Sequence, residues 1–189
     1  KLGLYEKLAG TGQAEQVLFE TLSYISADDW SPDGRSILFT SAGQSANADL
    51  FVLPLDGARR PVPVVQTPSD EGQGRFSPDG AWIAYVSNES GRLEVYVRPL
   101  ADPTRKWQIS SSGGRQPEWR RDGRELFYLA ADRTLMAVPI KTAPAFEAGT
   151  PTALFRTGVQ GFFNRNDYAV SADGQRFLIN TRVGDSPAS

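Results

Sequence analysis

Short apolar runs bounded by turn-forming residues recur along the chain, and no stretch sustains the 3.6-residue apolar period of an amphipathic helix. A first set covers residues 36–40 (SILFT), 82–87 (WIAYVS), 125–130 (ELFYLA) and 176–180 (RFLIN). A second covers residues 49–55 (DLFVLPL), 94–100 (EVYVRPL) and 134–140 (TLMAVPI). A third, more polar set covers residues 61–66 (PVPVVQ), 106–110 (KWQIS) and 152–156 (TALFR). Their richness in Val, Ile, Leu and aromatics predicts strands.

A short motif precedes each run of the first set: Trp30-Ser31-Pro32-Asp33-Gly34, Phe76-Ser77-Pro78-Asp79-Gly80, Trp119-Arg120-Arg121-Asp122-Gly123 and Val170-Ser171-Ala172-Asp173-Gly174. The aspartates are 46, 43 and 51 residues apart, a period that fits the blades of a propeller and is too long for leucine-rich or ankyrin units. In Ser-Pro-Asp-Gly, Pro fixes φ at the second position of a type I turn and Gly supplies the left-handed residue that closes a bulged hairpin. Asp33, Gly34, Asp79, Gly80, Asp122, Gly123, Asp173 and Gly174 are therefore expected to build turns from strand A to strand B of each blade, not to ligate or catalyse. The Trp or Phe before each turn is expected to pack between blades.

These elements predict an all-β fold, a β-propeller of four-stranded antiparallel blades. Full blades are expected over residues 22–67, 68–110 and 111–157. Residues 2–7 (LGLYEK) and 16–21 (QVLFET) read as strands C and D of a half-blade over 1–21, and residues 158–189 hold a second half-blade. Two half-blades can close on each other into a four-bladed ring or belong to a larger one.

Composition narrows the chemistry. The 189 residues are 40% hydrophobic and include Gly 18 and Pro 13, a balance that suits strands and tight turns. There is no His and no Cys, which excludes a Ser-His-Asp triad, a Cys-His dyad, a zinc finger, a HExxH centre and disulfides within this chain. The net charge of -2 is interspersed, and no apolar run is long enough to span a bilayer, so neither nucleic acid nor membrane insertion is expected. No cofactor or metal is expected either.

The blocks Glu71-Gly72-Gln73-Gly74-Arg75-Phe76-Ser77-Pro78-Asp79-Gly80 through Gly91, and Lys106-Trp107-Gln108-Ile109-Ser110 through Tyr128, resemble TolB-like, WD40-like (PD40) propeller repeats. More narrowly they resemble the repeats C-terminal to bacterial receptor-type serine/threonine kinases, as does the connector from Val138 to Pro151. The resemblance implies a protein of more blades, hence a C-terminal fragment of a larger propeller, on the extracytoplasmic or periplasmic side of a bacterial membrane. Related propellers occur in TolB and ahead of prolyl-oligopeptidase catalytic domains. The chain itself has no kinase signature.

Other motifs carry less. Gly10-Thr11-Gly12 lacks the third glycine and the strand-to-helix setting of a dinucleotide loop and reads as a linker turn. Asn88-Glu89-Ser90 fits a glycosylation acceptor but falls in a hairpin loop. The Asp-Gly pairs do not match the sialidase Asp box, and Arg115, Arg120, Arg121 and Arg124 alternate with Glu118, Asp122 and Glu125 as a self-paired surface.

Candidate binding residues lie just before each strand A: Asp28 and Asp29, Gln73 and Arg75, Gln116 and Glu118, Asn166 and Asp167. Loops from D to A converge on one mouth of a propeller's central channel, where polar groups can receive a peptide, a partner loop or a cation, or merely hydrate the channel. The expectation is a non-catalytic interaction or sensor module with a protein or peptide partner, within a receptor kinase; the alternatives are an accessory domain of a prolyl-oligopeptidase-like peptidase and a TolB-type periplasmic protein. Replacing Arg75, Gln116 and Glu118 together with Ala is expected to weaken binding and leave melting nearly unchanged.

Overall fold

A computed structural model describes residues 1–10, 12–43, 47–159 and 166–181. Seventeen strands and no helix occur among the described residues. Strands β1 (Leu2–Glu6) and β2 (Gln16–Thr21) form an antiparallel pair. Then come three meanders. The first blade is β3 (Tyr24–Trp30), β4 (Ser36–Ala42), β5 (Ala48–Pro54) and β6 (Val62–Val65), in that spatial order. The second is β7 (Glu71–Phe76), β8 (Trp82–Ser87), β9 (Glu94–Pro99) and β10 (Trp107–Gln108). The third is β11 (Gly114–Trp119), β12 (Glu125–Ala130) and β13 (Thr134–Lys141), against which both β14 (Glu147–Ala148) and β15 (Thr152–Arg156) pair. Strands β16 (Tyr168–Val170) and β17 (Phe177–Ile179) form a closing hairpin. Of the linker turn and the last half-blade read from sequence, Thr11 and residues 160–165 and 182–189 lie outside the described residues.

The continuous apolar runs have a simple cause: every blade is covered on both faces. Along β4, Ile37 and Phe39 face β1 and β2 in a cluster with Leu4 and Leu18. Leu38, between them, faces the second blade with Phe76, Ile83 and Tyr85. Strand β8 repeats the division, Ile83 and Tyr85 toward the first blade and Ala84 and Val86 toward the third. In β12, Leu126 and Tyr128 join that second interface, while Phe127 and Leu129 pack on Val159 and Tyr168. Side chains of period two thus feed two cores at once, so neither face is left polar.

The fourth strand of the third blade is split, which the sequence did not predict. Phe146 fills the gap between Trp82 and Trp107, with ring centroids 5.0 and 4.5 Å away. That buried ring holds the two-residue β14 against the end of β13 before the chain passes Gly149 and Pro151 into β15.

The four turns are alike. Gly34, Gly80, Gly123 and Gly174 have φ of 72, 70, 72 and 73°, and each N–H donates to the carbonyl three residues earlier at 2.8–2.9 Å. The aspartate Oδ1 of each turn accepts the N–H two residues on, at 3.0 Å in every copy. Successive turns also touch: a Cβ placed on Gly80 would lie 3.8 Å from Pro32 Cδ, and one on Gly123 would lie 3.8 Å from Pro78 Cδ.

Candidate functional site

The first strands of the blades lie side by side, β3 against β7 and β7 against β11. Each contains a bulge, at Ala27/Asp29, Gly72/Arg75 and Arg115/Glu118. The extra residue flips the alternation of side chains partway along the strand. Gln73 and Gln116 sit in these bulges at φ 54°, unusual for residues other than glycine. Gly74 lets β7 approach the first blade, since a Cβ there would lie 2.4 Å from Leu38 Cδ2 and 2.9 Å from Leu50 Cδ1.

Six of the eight candidate residues are on these strands and not in loops ahead of them, whereas Asn166 and Asp167 lie just before β16 as expected, and the eight fall into two rows. Gln73, Gln116 and Asp167 form the buried row. Gln116 N donates to Gln73 Oε1 at 2.8 Å, and Asp167 N donates to Gln116 Oε1 at 2.9 Å. Gln116 Nε2 returns a bond to Asp167 Oδ2 at 2.9 Å, and the buried Tyr168 hydroxyl donates to the Gln116 carbonyl at 2.7 Å. These side chains stitch blade to blade in place of solvent. The expectation that replacing Gln116 spares stability is therefore overturned: the side chain is 1% exposed and its loss strands the Asp167 amide.

Asp28, Asp29, Arg75, Glu118 and Asn166 form the second row, partly open to solvent. Arg75 Nε donates to Glu118 Oε1 at 2.8 Å, with the two side chains 11% and 22% exposed. Arg75 Nη1 also reaches the carbonyls of Asp28 and Gly74. Asn166 Nδ2 donates to the same Glu118 oxygen at 3.2 Å, and Asp29 Oδ2 accepts the Phe76 N–H at 2.9 Å. Trp119 Nε1 bonds the Arg75 carbonyl at 3.3 Å and Thr40 donates to Asp28 Oδ2. Thr40, Gly74 and Tyr168 support the site and were not singled out from sequence, and Trp119, expected to pack between blades, also donates across to the inner strand of the neighbouring blade.

Three carboxylates crowd one guanidinium. Burial pushes Asp28 up to about 7, against the opposing pull of the Thr40 hydroxyl and Arg75. Burial also raises Asp29 and Glu118, each partly offset by Arg75. For Arg75, burial works to lower the pKa, but Glu118 and the two aspartates prevail and raise it. With all three carboxylates ionised the row carries two negative charges in excess. Among the described residues no three carboxylates are placed so that they could hold a metal ion.

No family model matches the chain. Dipeptidyl-peptidase 5 of Porphyromonas gingivalis is 34% identical over 95 residues, covering 46% of this chain and 14% of the peptidase. Among solved structures, TolB from Acinetobacter baumannii superposes with a TM-score of 0.70 at 18% identity, covering 96% of this chain and 43% of TolB. A puromycin-hydrolyzing peptidase of Mycobacterium tuberculosis gives 0.64 at 18% identity, covering 83% of this chain and 28% of the peptidase. The fold is thus a TolB-like β-propeller, all-β and built of four-stranded antiparallel blades. The chain spans less than half the length of each of these proteins. The narrower kinase setting finds no support among them.

Proposed function

We propose that the chain is a non-catalytic interaction module, and that the row Asp28, Asp29, Arg75, Glu118 and Asn166 receives a basic side chain of a protein or peptide partner. The observation that carries this reading is the excess of carboxylate over cation at a half-open position where burial raises all three carboxyl groups. Such a cluster costs stability, and groups of this kind concentrate at functional sites. An incoming lysine or arginine would supply the missing charge. The absence of His and Cys agrees with a binding role. Two settings accommodate it: a TolB-type protein outside the cytoplasm, in keeping with the fold, or the propeller of a peptidase whose catalytic residues lie elsewhere, in keeping with the likeness to dipeptidyl-peptidase 5.

The test is calorimetric titration of a partner recovered by pull-down, using Asp29→Asn/Glu118→Gln. Both substitutions keep the shape and an acceptor oxygen. At least tenfold weaker binding, with little change in melting, is expected. Unchanged affinity would overturn the assignment to this row. The purified chain should also hydrolyse no dipeptidyl chromogenic substrate, and turnover that survives repurification would overturn the non-catalytic reading.

A further inference from the structure

A cavity lies away from the inner strands, between the outer strand of the first blade and the second blade. Its volume is about 460 Å³, with Pro63, Val64, Val65, Pro103 and Tyr85 along one half of the lining and polar side chains, Arg98 and Thr104 among them, along the other half. Arg98 interrupts the otherwise apolar run of β9. It is only 7% exposed. Its Nη1 donates to the Val64 carbonyl, and its buried Nε has no acceptor.

A guanidinium this buried is ordinarily matched by a carboxylate. Among the described residues none lies within ion-pair distance of Arg98. Asp102 is near enough to act on it electrostatically, but its Oδ1 accepts from both the amide and the hydroxyl of Thr104. The other cation on the lining, Lys106, is paired to Glu89 and lies over the Tyr96 ring, 5.7 Å from its centroid. Burial pulls Arg98 below its ordinary value and pushes the facing Tyr85 phenol well above its own. The cavity therefore sets one cation that has no ion pair among the described residues beside a patch of apolar wall.

We propose that this cavity binds a carboxylate carried on an apolar stem, with Arg98 as its counter-charge. A single available guanidinium matches the planar, singly charged carboxylate. A phosphate dianion would need further donors, and Lys106 is already engaged. Pro63, Val64 and Pro103 would cover the stem. The site is independent of the inner-strand row, so neither proposal depends on the other.

Protein labelled with ¹⁵N in arginine tests this through the Arg98 Nε–Hε signal, assigned by its disappearance in Arg98→Lys. The probes are N-acetyl-leucyl-aspartyl-leucinamide, its asparaginyl counterpart, acetate and inorganic phosphate. A saturable shift with the aspartyl peptide, at least tenfold weaker with the asparaginyl one, is expected. Acetate acting as well as the peptide would overturn the apolar-stem part of the proposal, and acetate acting far more weakly is expected. Thr104→Glu, at an exposed position, places a carboxylate at the rim and should weaken peptide binding at least tenfold without lowering the melting temperature. No saturable shift with either carboxylate, equal response to the asparaginyl peptide, response to phosphate alone, or unchanged binding in Thr104→Glu would overturn the proposal.

Discussion

The second blade and the β16–β17 hairpin begin with the same turn and end differently. Gly80 and Gly174 share their φ and their hydrogen bonds, and Asp79 and Asp173 accept the same backbone N–H. Yet β8 and β9 are buried almost throughout, whereas in β17 Leu178 is 78% exposed and its neighbours are half-covered. The local code is equal and the packing is not. A blade is thus a turn motif that becomes a stable element only where neighbours cover both faces, as expected of repeat architectures in which interfaces supply much of the stability.

Core truncation should expose this difference most strongly. Ile83→Ala should cost roughly 2–5 kcal/mol in chemical denaturation, because the side chain is fully buried between blades. Leu178→Ala should stay within about 0.5 kcal/mol. Equal costs would mean that the hairpin is as well packed as the blade.

Next in size is the blade-to-blade stitch. Gln116→Ala should cost about 1–3 kcal/mol by leaving the buried Asp167 amide without its acceptor. The same denaturation experiment on Gln73→Ala reads the preceding interface, where the Gln116 N–H would lose the Gln73 Oε1 acceptor.

Gly80→Val forces a β-branched residue to positive φ and should cost at least about 1 kcal/mol. Asp79→Asn retains an acceptor oxygen and should cost less. Gly174→Val carries the same positive-φ strain and also crowds the Arg120 side chain, but hydrogen exchange should show it as local opening of β16–β17 while blade-two amides stay protected. Global loss of protection would erase the contrast between the two regions.

A separate effect is electrostatic and appears only as pH changes. Asp28 stays protonated in the folded protein up to about pH 7, whereas in the unfolded chain it ionises near pH 4. The folded state holds the extra proton in between, so this group's contribution to stability falls as pH rises through that window and the full penalty is present above it. Asp28→Asn should raise the melting temperature at pH 8, leave it nearly unchanged at pH 4 and flatten the profile between. A parallel offset at both pH values would show that Asp28 does not titrate there.

Strands on the second and third positions of each blade were legible because two apolar faces leave uninterrupted runs: residues 82–87 and 125–130 form strands with those same limits. The turns were legible because Gly alone accepts their φ at no cost. The inner strands were not. Each carries one extra residue, so counting by twos cannot say which side chains turn inward, and Gln116 and Glu118 look alike in sequence although one is a buried staple and the other meets solvent. Arg98 was equally hidden, since a lone polar residue in an apolar run does not reveal whether the fold supplies its partner.

The touching turns have a consequence for how such a molecule can change over time. Because Gly80 rests on Pro32 as Gly123 rests on Pro78, the second blade presents to the third the same small surface that it receives from the first. A duplicated blade would arrive with both halves of this joint already made. Gene duplication can therefore lengthen the array by whole units with no new contact to invent, and the joint survives as long as proline and glycine keep their places in the copy.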